Sequence, residues 1–539
     1  MLVQHFLERS AGRLPDKVAL VCGEERLTYG LIEEQASCFA WFLRNHGIQR
    51  QDRVAILLDN SAASVIALFG ILKADAIFLM LSGTLKANKL SYILNDCQVR
   101  ALITHASKAP VVLKAFEQPS SLEHVIWVGG DLSDRDQDTQ SVKHHSFSQA
   151  LSIHSEISGS PKSINIDLDL ATIIYTSGST SDPKGVMLTH LNMVSAAASI
   201  IEYLENREDD IIMNVLPFSF DYGLYQVLMA FKFGGTVVLE RSFTYPYQVV
   251  QKMIQERVTG FPCVPTNFAI LLGLKNLDQF DFSSLRYITN TAAALPPSYI
   301  KRLRKMFPHV RIYSMYGLTE CKRVSFLPCE EIDHRPTSVG RGMPNEEVWI
   351  VDESGKPVVP GVVGELVVRG SNVMRAYWGL PEETARVLRP GKYPGEVVLH
   401  TDDLFRMDKE GYLYFVGRMG DMIKSRGARI SPKEIEQCLC SLDGVAEAAV
   451  VGMPDEILGE AIVAFVRVQE ERKLSVREVQ THCLTHLEDF MVPQMVRFIH
   501  VFPKTSSGKI DKIALRSMLT NGSRTVDGSE KQIVETRPA

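Results

Sequence analysis

The chain has 539 residues, 45% of them hydrophobic and 22% charged, with a formal net charge of −5. That length is too great for one core and predicts three or four compact units, and the composition is that of a globular protein, neither disordered nor fibrous. The mildly acidic balance gives no basis for expecting nucleic acid or an anionic membrane as partner.

Residues 1–16 lack the basic-then-apolar layout of a secretory leader. Strands are predicted at 54–58, 101–104, 124–128, 173–176, 235–239 and 285–289, with amphipathic helices such as 192–204 and 245–257 between them. That alternation argues for layered α/β units. The longest apolar stretch, 65–80, is broken by Lys73 and Asp75, so no bilayer span is expected. The polar stretch 129–167 reads as a surface connection within the large domain. From 346 to 416 short strands alternate with Gly/Pro turns, the texture of a small β-barrel or folded sheet. After 417–421 comes a last unit with a helix at 431–442 and strands at 446–452 and 461–468, ending near 519. The tail 520–539 has almost no apolar content and is expected to be disordered. The domains expected are therefore 1–419, 420–519 and a tail. Nine scattered cysteines without a CxxC pair suit a reducing compartment, and a cytoplasmic location is expected.

Tyr175-Thr176-Ser177-Gly178-Ser179-Thr180-Ser181-Asp182-Pro183-Lys184-Gly185 is the most informative stretch. It follows a predicted strand and offers backbone N–H groups, hydroxyls and one ammonium to a polyphosphate. It is not a Walker A loop, because Lys184 precedes Gly185 and no Ser or Thr follows. Downstream, Tyr316-Gly317-Leu318-Thr319-Glu320 combines a ring able to stack on adenine, a hydroxyl for the α-phosphate and a carboxylate for Mg²⁺. Asp403, following Thr401-Asp402, and Arg418 form an acid–arginine pair able to hold ribose hydroxyls. Lys509 lies on a Gly-rich loop, Pro503-Lys504-Thr505-Ser506-Ser507-Gly508-Lys509, near the C-terminus. In this order the motifs describe an ATP-using, AMP-forming ligase of carboxylic acids.

The chain resembles the AMP-forming adenylation superfamily: acyl-CoA synthetases, luciferases of the firefly type and adenylation domains of nonribosomal peptide synthetases. The resemblance runs over roughly residues 5 to 517 and includes Gly364-Glu365-Leu366 and Pro432-Lys433-Glu434-Ile435-Glu436. It implies a large N-terminal domain of layered α/β subdomains plus a small β-barrel, carrying a small mobile α+β C-terminal domain hinged at 420–421. ATP and Mg²⁺ are the implied cofactors. Thr176, Ser177, Gly178, Ser179, Thr180, Lys184, Tyr316, Asp403, Arg418 and Lys509 would bind the nucleotide, and Lys509, Glu320, Thr319 and Lys184 would carry the chemistry. Ser181, Asp402 and Gly420 depart from the family pattern. The first two stand where glycine is usual and would ask for an unusual backbone angle or a local side-chain bond, while Gly420 would loosen the hinge.

Substrate choice turns on Phe220-Asp221-Tyr222-Gly223. In amino-acid-activating relatives a Phe-Asp pair carries the aspartate that meets the substrate ammonium. A buried carboxylate needs a cation, which such a substrate would supply, and this role is preferred to the alternative, a helix N-cap before a helical run. By resemblance Tyr222, Tyr225, Asn290 and Met315 complete the pocket. Together with Cys321-Lys322-Arg323-Val324 they are similar to freestanding proline-activating enzymes. The expected reaction is therefore activation of a small amino acid, proline first, and transfer to a separate holo carrier protein. An acyl- or aryl-CoA ligase is the alternative, and a luciferase-like monooxygenase or a non-catalytic nucleotide-binding protein the remote ones. His482 and His486, four apart on a predicted helix, are read as a solvated face because no zinc spacing accompanies them.

Overall fold

A computed structural model describes residues 1–116, 121–130, 142–152, 159–176, 183–426, 428–455, 457–469, 472–505 and 509–521. Two large sheets dominate the first four hundred residues. One has eight strands, ordered Ala376–Tyr377, Lys184–Thr189, Leu170–Thr176, Ile77–Met80, Arg53–Leu57, Val99–His105, His124–Val128 and Lys143–Ser146. The other has nine and carries at its centre the parallel strands Ile211–Asn214, Gly260–Cys263, Tyr287–Asn290 and Arg311–Tyr316. Their central strands are buried on both faces, as Ile-Val-Leu-rich runs in parallel sheets must be.

One continuous apolar core joins both sheets through the helices Tyr29–Asn45, Ala62–Lys73, His190–Leu204 and Asp221–Phe233. Phe69 stacks on Phe231 at 5.1 Å and Tyr29 meets the same ring edge-on at 5.2 Å. Each such fully buried side chain contributes about 1.5–3 kcal/mol of transfer free energy. Lys73 and Asp75, which interrupt the apolar run, are both buried and paired. Lys73 binds Glu8 and Glu33, and Asp75 binds Arg44. Among the described residues no helix is long and apolar enough to cross a membrane.

The expected surface connection at 129–167 is only partly that. Lys143–Ser146 adds the edge strand of the first sheet, and Phe147 and Ala150 of the short helix Phe147–Leu151 enter the core. Its polar composition hid two apolar anchors. The small β-barrel takes the form of a five-stranded antiparallel sheet whose long strand Val397–Met407 pairs with Val363–Gly370, Leu388–Pro390 and Leu413–Arg418, with bulges at two registers. The C-terminal unit is a five-stranded sheet under the helices Pro432–Ser441 and Val476–His486, with its own apolar cluster. Its last helix, Lys512–Asn521, extends two residues past the expected boundary at 519, and the tail beyond 521 lies outside the described residues.

Candidate active site

The phosphate-loop motif is a β-hairpin. Leu170–Thr176 and Lys184–Thr189 run antiparallel, with Thr176 directly opposite Lys184. Ser177, Gly178, Ser179, Thr180 and Ser181 lie outside the described residues. The Lys184 ammonium bonds Glu383 Oε2 at 2.5 Å and lies 5.5 Å from the centre of the Tyr377 ring. Gly185 is required by close packing, since a Cβ there would stand 2.8 Å from Ile173 and 3.2 Å from Trp378. That contact follows from pairing of Ala376–Tyr377 with the hairpin's outer strand.

Tyr377 links two motifs. Its hydroxyl donates to Glu320 Oε1 at 2.8 Å, so Lys184 and Glu320 contact the same buried tyrosine. Burial and the adjacent Glu320 carboxylate push the phenol pKa up, which keeps it a donor. Glu320 is thereby oriented through one oxygen. Mg²⁺ is held by one or two carboxylates together with substrate phosphates, and a single half-buried carboxylate fits that donor set. Thr319 stands beside it, half-buried.

The acid–arginine pair is built by strand register. Asp403 and Arg418 are partners on adjacent antiparallel strands, and Arg418 Nε donates to Asp403 Oδ1 at 2.9 Å. The Tyr316 hydroxyl donates to Oδ2 at 2.5 Å. Burial raises the Asp403 pKa, with Arg418 opposing it. Each oxygen keeps a second lone pair, so the group can still accept two hydroxyls. Tyr316 packs edge-on against Phe405, ring centres 4.8 Å apart. Asp402 adopts φ +56°, the left-handed angle its non-glycine identity made costly. Glu365 of the Gly364-Glu365-Leu366 motif explains how it is held: one oxygen accepts from Asp402 N at 3.1 Å and the other meets His400 Nδ1 at 2.7 Å.

Lys509 reaches this centre from the C-terminal unit. The described ends of its loop pair, Lys504 being bridged to Ile510 and Thr505 N donating to Lys509 O at 2.8 Å. Lys504 lies 3.4 Å from Glu447 and 3.4 Å from Thr266 of the large domain. Lys509 is open to solvent, yet surrounding protein and then the Arg418 charge push its ammonium pKa down, while Asp221, Asp403 and Glu320 oppose this. One lysine is therefore within electrostatic reach of Asp221, Asp403 and Glu320 together.

In the substrate pocket Asp221 is the first residue of the helix Asp221–Phe233 and makes no cap bond, so the N-cap role does not apply. Its Oδ2 lies 3.5 Å from the Nζ of Lys322, which is itself buried. The Lys322 ammonium is 4.5 Å from the Tyr225 ring centre and 5.4 Å from that of Tyr222. Tyr222 bonds Thr289, and Arg323 Nη1 donates to Thr291 Oγ1 at 2.6 Å. Met315 Sδ accepts from the Tyr203 hydroxyl at 3.0 Å. Asn290 Nδ2 donates to Ala293 O at 2.9 Å, while its buried Oδ1 has no hydrogen-bond partner among the described residues.

Sequence reasoning missed Lys322, Tyr377, Glu383 and Glu365 as parts of the site. Lys322 is read only within the Cys321-Lys322-Arg323-Val324 resemblance, without a role of its own. Glu365 is read only within the Gly364-Glu365-Leu366 motif, and Tyr377 and Glu383 carry no local signal, because sheet pairing nearly two hundred residues apart brings Glu383 to Lys184. His482 and His486 come within 4.8 Å of Cys438 in ligand-atom separation, but both imidazoles already bond backbone carbonyls.

The Asp403–Arg418 pair, Glu320, Lys184 on the hairpin and Lys509 from the C-terminal unit are groups of the kind an adenylate-forming enzyme uses. The chain belongs to the AMP-binding enzyme family, which it matches over residues 7–378, with that family's C-terminal domain matched over 434–509. Such enzymes use ATP with Mg²⁺. The long-chain-fatty-acid–CoA ligase of Bacillus subtilis is 32% identical over 94% of this chain and 93% of its own length. Surfactin synthase subunit 2, also of Bacillus subtilis, is 28% identical over 95% of this chain but only 14% of its own length. The structure of the anthranilate CoA ligase AuaEII in complex with anthranoyl-AMP superposes with a TM-score of 0.87 at 27% identity, covering 97% of this chain and 98% of that one.

Proposed function

We propose that this protein is an AMP-forming acid–thiol ligase that activates a compact carboxylic acid without an α-ammonium and passes it to coenzyme A. The observation that carries this is the Asp221–Lys322 pair: the pocket carboxylate already has its cation from within the chain. The end-to-end likeness to a CoA ligase supports the acceptor. Buried, bulky Tyr222, Tyr225 and Met315 support a short or planar acid.

The substrate carboxylate is ionised at neutral pH and needs no general base. It attacks the α-phosphorus of ATP, forming the acyl–phosphate bond as the bond to pyrophosphate breaks. Asp403 and Arg418 hold the ribose, and Lys184 and the Thr176 end of the hairpin meet the departing phosphates. Glu320 would hold Mg²⁺, which neutralises phosphate charge, and Lys509 bridges carboxylate and α-phosphate. For thioester formation the C-terminal domain turns about Gly420. This residue lies in the 3₁₀ turn Met419–Asp421, where a Cβ would meet nothing within 4 Å.

One observation favours the amino-acid reading, with proline and a carrier protein in trans. Burial pulls the Lys322 ammonium down to about 7, so it can lose its proton and leave Asp221 to a substrate ammonium. ATP–pyrophosphate exchange over short, aryl and amino acids, followed by trapping with coenzyme A or a holo carrier protein, separates the two. Exchange with uncharged acids and CoA thioester formation is the expected result. Exchange confined to amino acids, with loading only of the carrier, overturns it.

A further inference from the structure

A carboxylate flanked by two aromatic faces is a receptor for an ammonium ion, since the acid supplies charge and the ring faces supply quadrupole attraction. Asp221, Tyr222 and Tyr225 form such a box on the first five residues of one helix, where the helix N-terminus also favours the carboxylate. The occupant is the chain's own Lys322, 3.5 Å from the acid and 4.5 Å from the nearer ring centre.

The backbone is bent to put it there. Lys322 has φ +63°, and Arg323 N donates to Cys321 O at 2.7 Å, closing a three-residue turn with Lys322 at its centre. Turns of this hand are strained for any residue with a side chain. The bend is fixed from the other side by Gly317, where a Cβ would stand 2.4 Å from Lys322 O. A strained turn with its side chain directed at a buried acid is costly unless the contact serves the site.

We propose that Lys322 determines substrate class: its ammonium fills the Asp221–Tyr222–Tyr225 box and thereby excludes acids that carry an α-ammonium. This deepens the proposed function and rests on it, because the reading above names the acid class and Lys322 is the residue that enforces it. An amino acid entering the wild-type pocket brings a second cation to an acid already paired. An uncharged acid leaves the internal pair intact.

The test replaces Lys322 with alanine, Lys322→Ala, and compares exchange rates for each amino acid with its des-amino counterpart, proline against cyclopentanecarboxylate and alanine against propionate. The ratio should move toward the amino acid by at least about tenfold, since a close desolvated charge pair couples at that level or above. Ethylammonium added to the variant should fill the vacated box, return the ratio to the wild-type value and raise the thermal midpoint. A generally weakened structure would give none of this selective rescue, and should the variant be poorly folded, the rise in midpoint with ethylammonium still reads the box. An unchanged ratio overturns the proposal, as does ethylammonium without effect on both ratio and midpoint. Failure of the underlying reading shows separately, as a wild-type enzyme that already prefers amino acids.

Discussion

Replacing Lys509 with alanine tests whether the two half-reactions use the C-terminal domain differently. The lysine is surrounded by Asp221, Asp403, Glu320 and Arg418, and its lowered pKa reflects crowding and the arginine. Neighbouring cations cannot substitute for it, because Lys184 is bonded to Glu383 and Arg418 to Asp403. Loss of one preorganised donor to a developing charge costs about 2.7–4 kcal/mol, or roughly 10²–10³ in rate. Because Lys509 is open to solvent, the lower end, about 10², is expected for adenylation. Adenylation is read by ATP–pyrophosphate exchange at saturating MgATP, and thiol transfer by single turnover from supplied acyl-adenylate. Transfer should fall by less than about tenfold, since it follows the domain turn that removes the lysine. Equal losses in the two assays would refute the reasoning and mean that Lys509 acts through folding or that the domain does not turn.

Gly420→Pro should preserve exchange and abolish thioester formation, whereas Gly420→Ala should leave both intact because a Cβ has open space there; equal thioester rates in the two variants would remove the hinge. Tyr377→Phe deletes the 2.8 Å bond to Glu320 and should weaken MgATP use by about 1.5–3 kcal/mol, read as a raised requirement for Mg²⁺. Asp402→Gly should relieve the φ +56° backbone and keep activity, and Asp402→Ala should be the less stable of the two by about 1 kcal/mol in urea unfolding. His190, fully buried with its Nδ1 accepting from Val3 N, has its pKa pushed down to about 4 by burial. Below its unfolded value of about 6.5 the unfolded chain takes up a proton that the folded one refuses until about 4, so stability is lost as pH falls through that window. The loss is about 2 kcal/mol at pH 5, and the stability difference between wild type and His190→Asn should shrink by that amount between pH 7 and 5.

Local sequence determined the parts of this protein whose chemistry is contained within one turn of chain. The hairpin bearing Thr176 and Lys184, the strand ending at Tyr316, the acid Asp403 and the terminal Lys509 are all legible because each sits in a short motif whose groups are neighbours in the chain. Alternation of apolar runs with amphipathic helices likewise determined the layered α/β class, since burial period follows directly from residue order. Asp402 shows the same legibility at the backbone level, a residue without glycine's freedom held at a left-handed angle by Glu365. The tertiary structure alone decided what faces what. Sheet pairing placed Tyr377 between Lys184 and Glu320, and a strained turn delivered Lys322 to Asp221. The sequence shows that Asp221 needs a cation but not which one arrives, because a buried charge is satisfied by whichever group the fold brings within reach, and that distance is set by contacts a hundred residues apart.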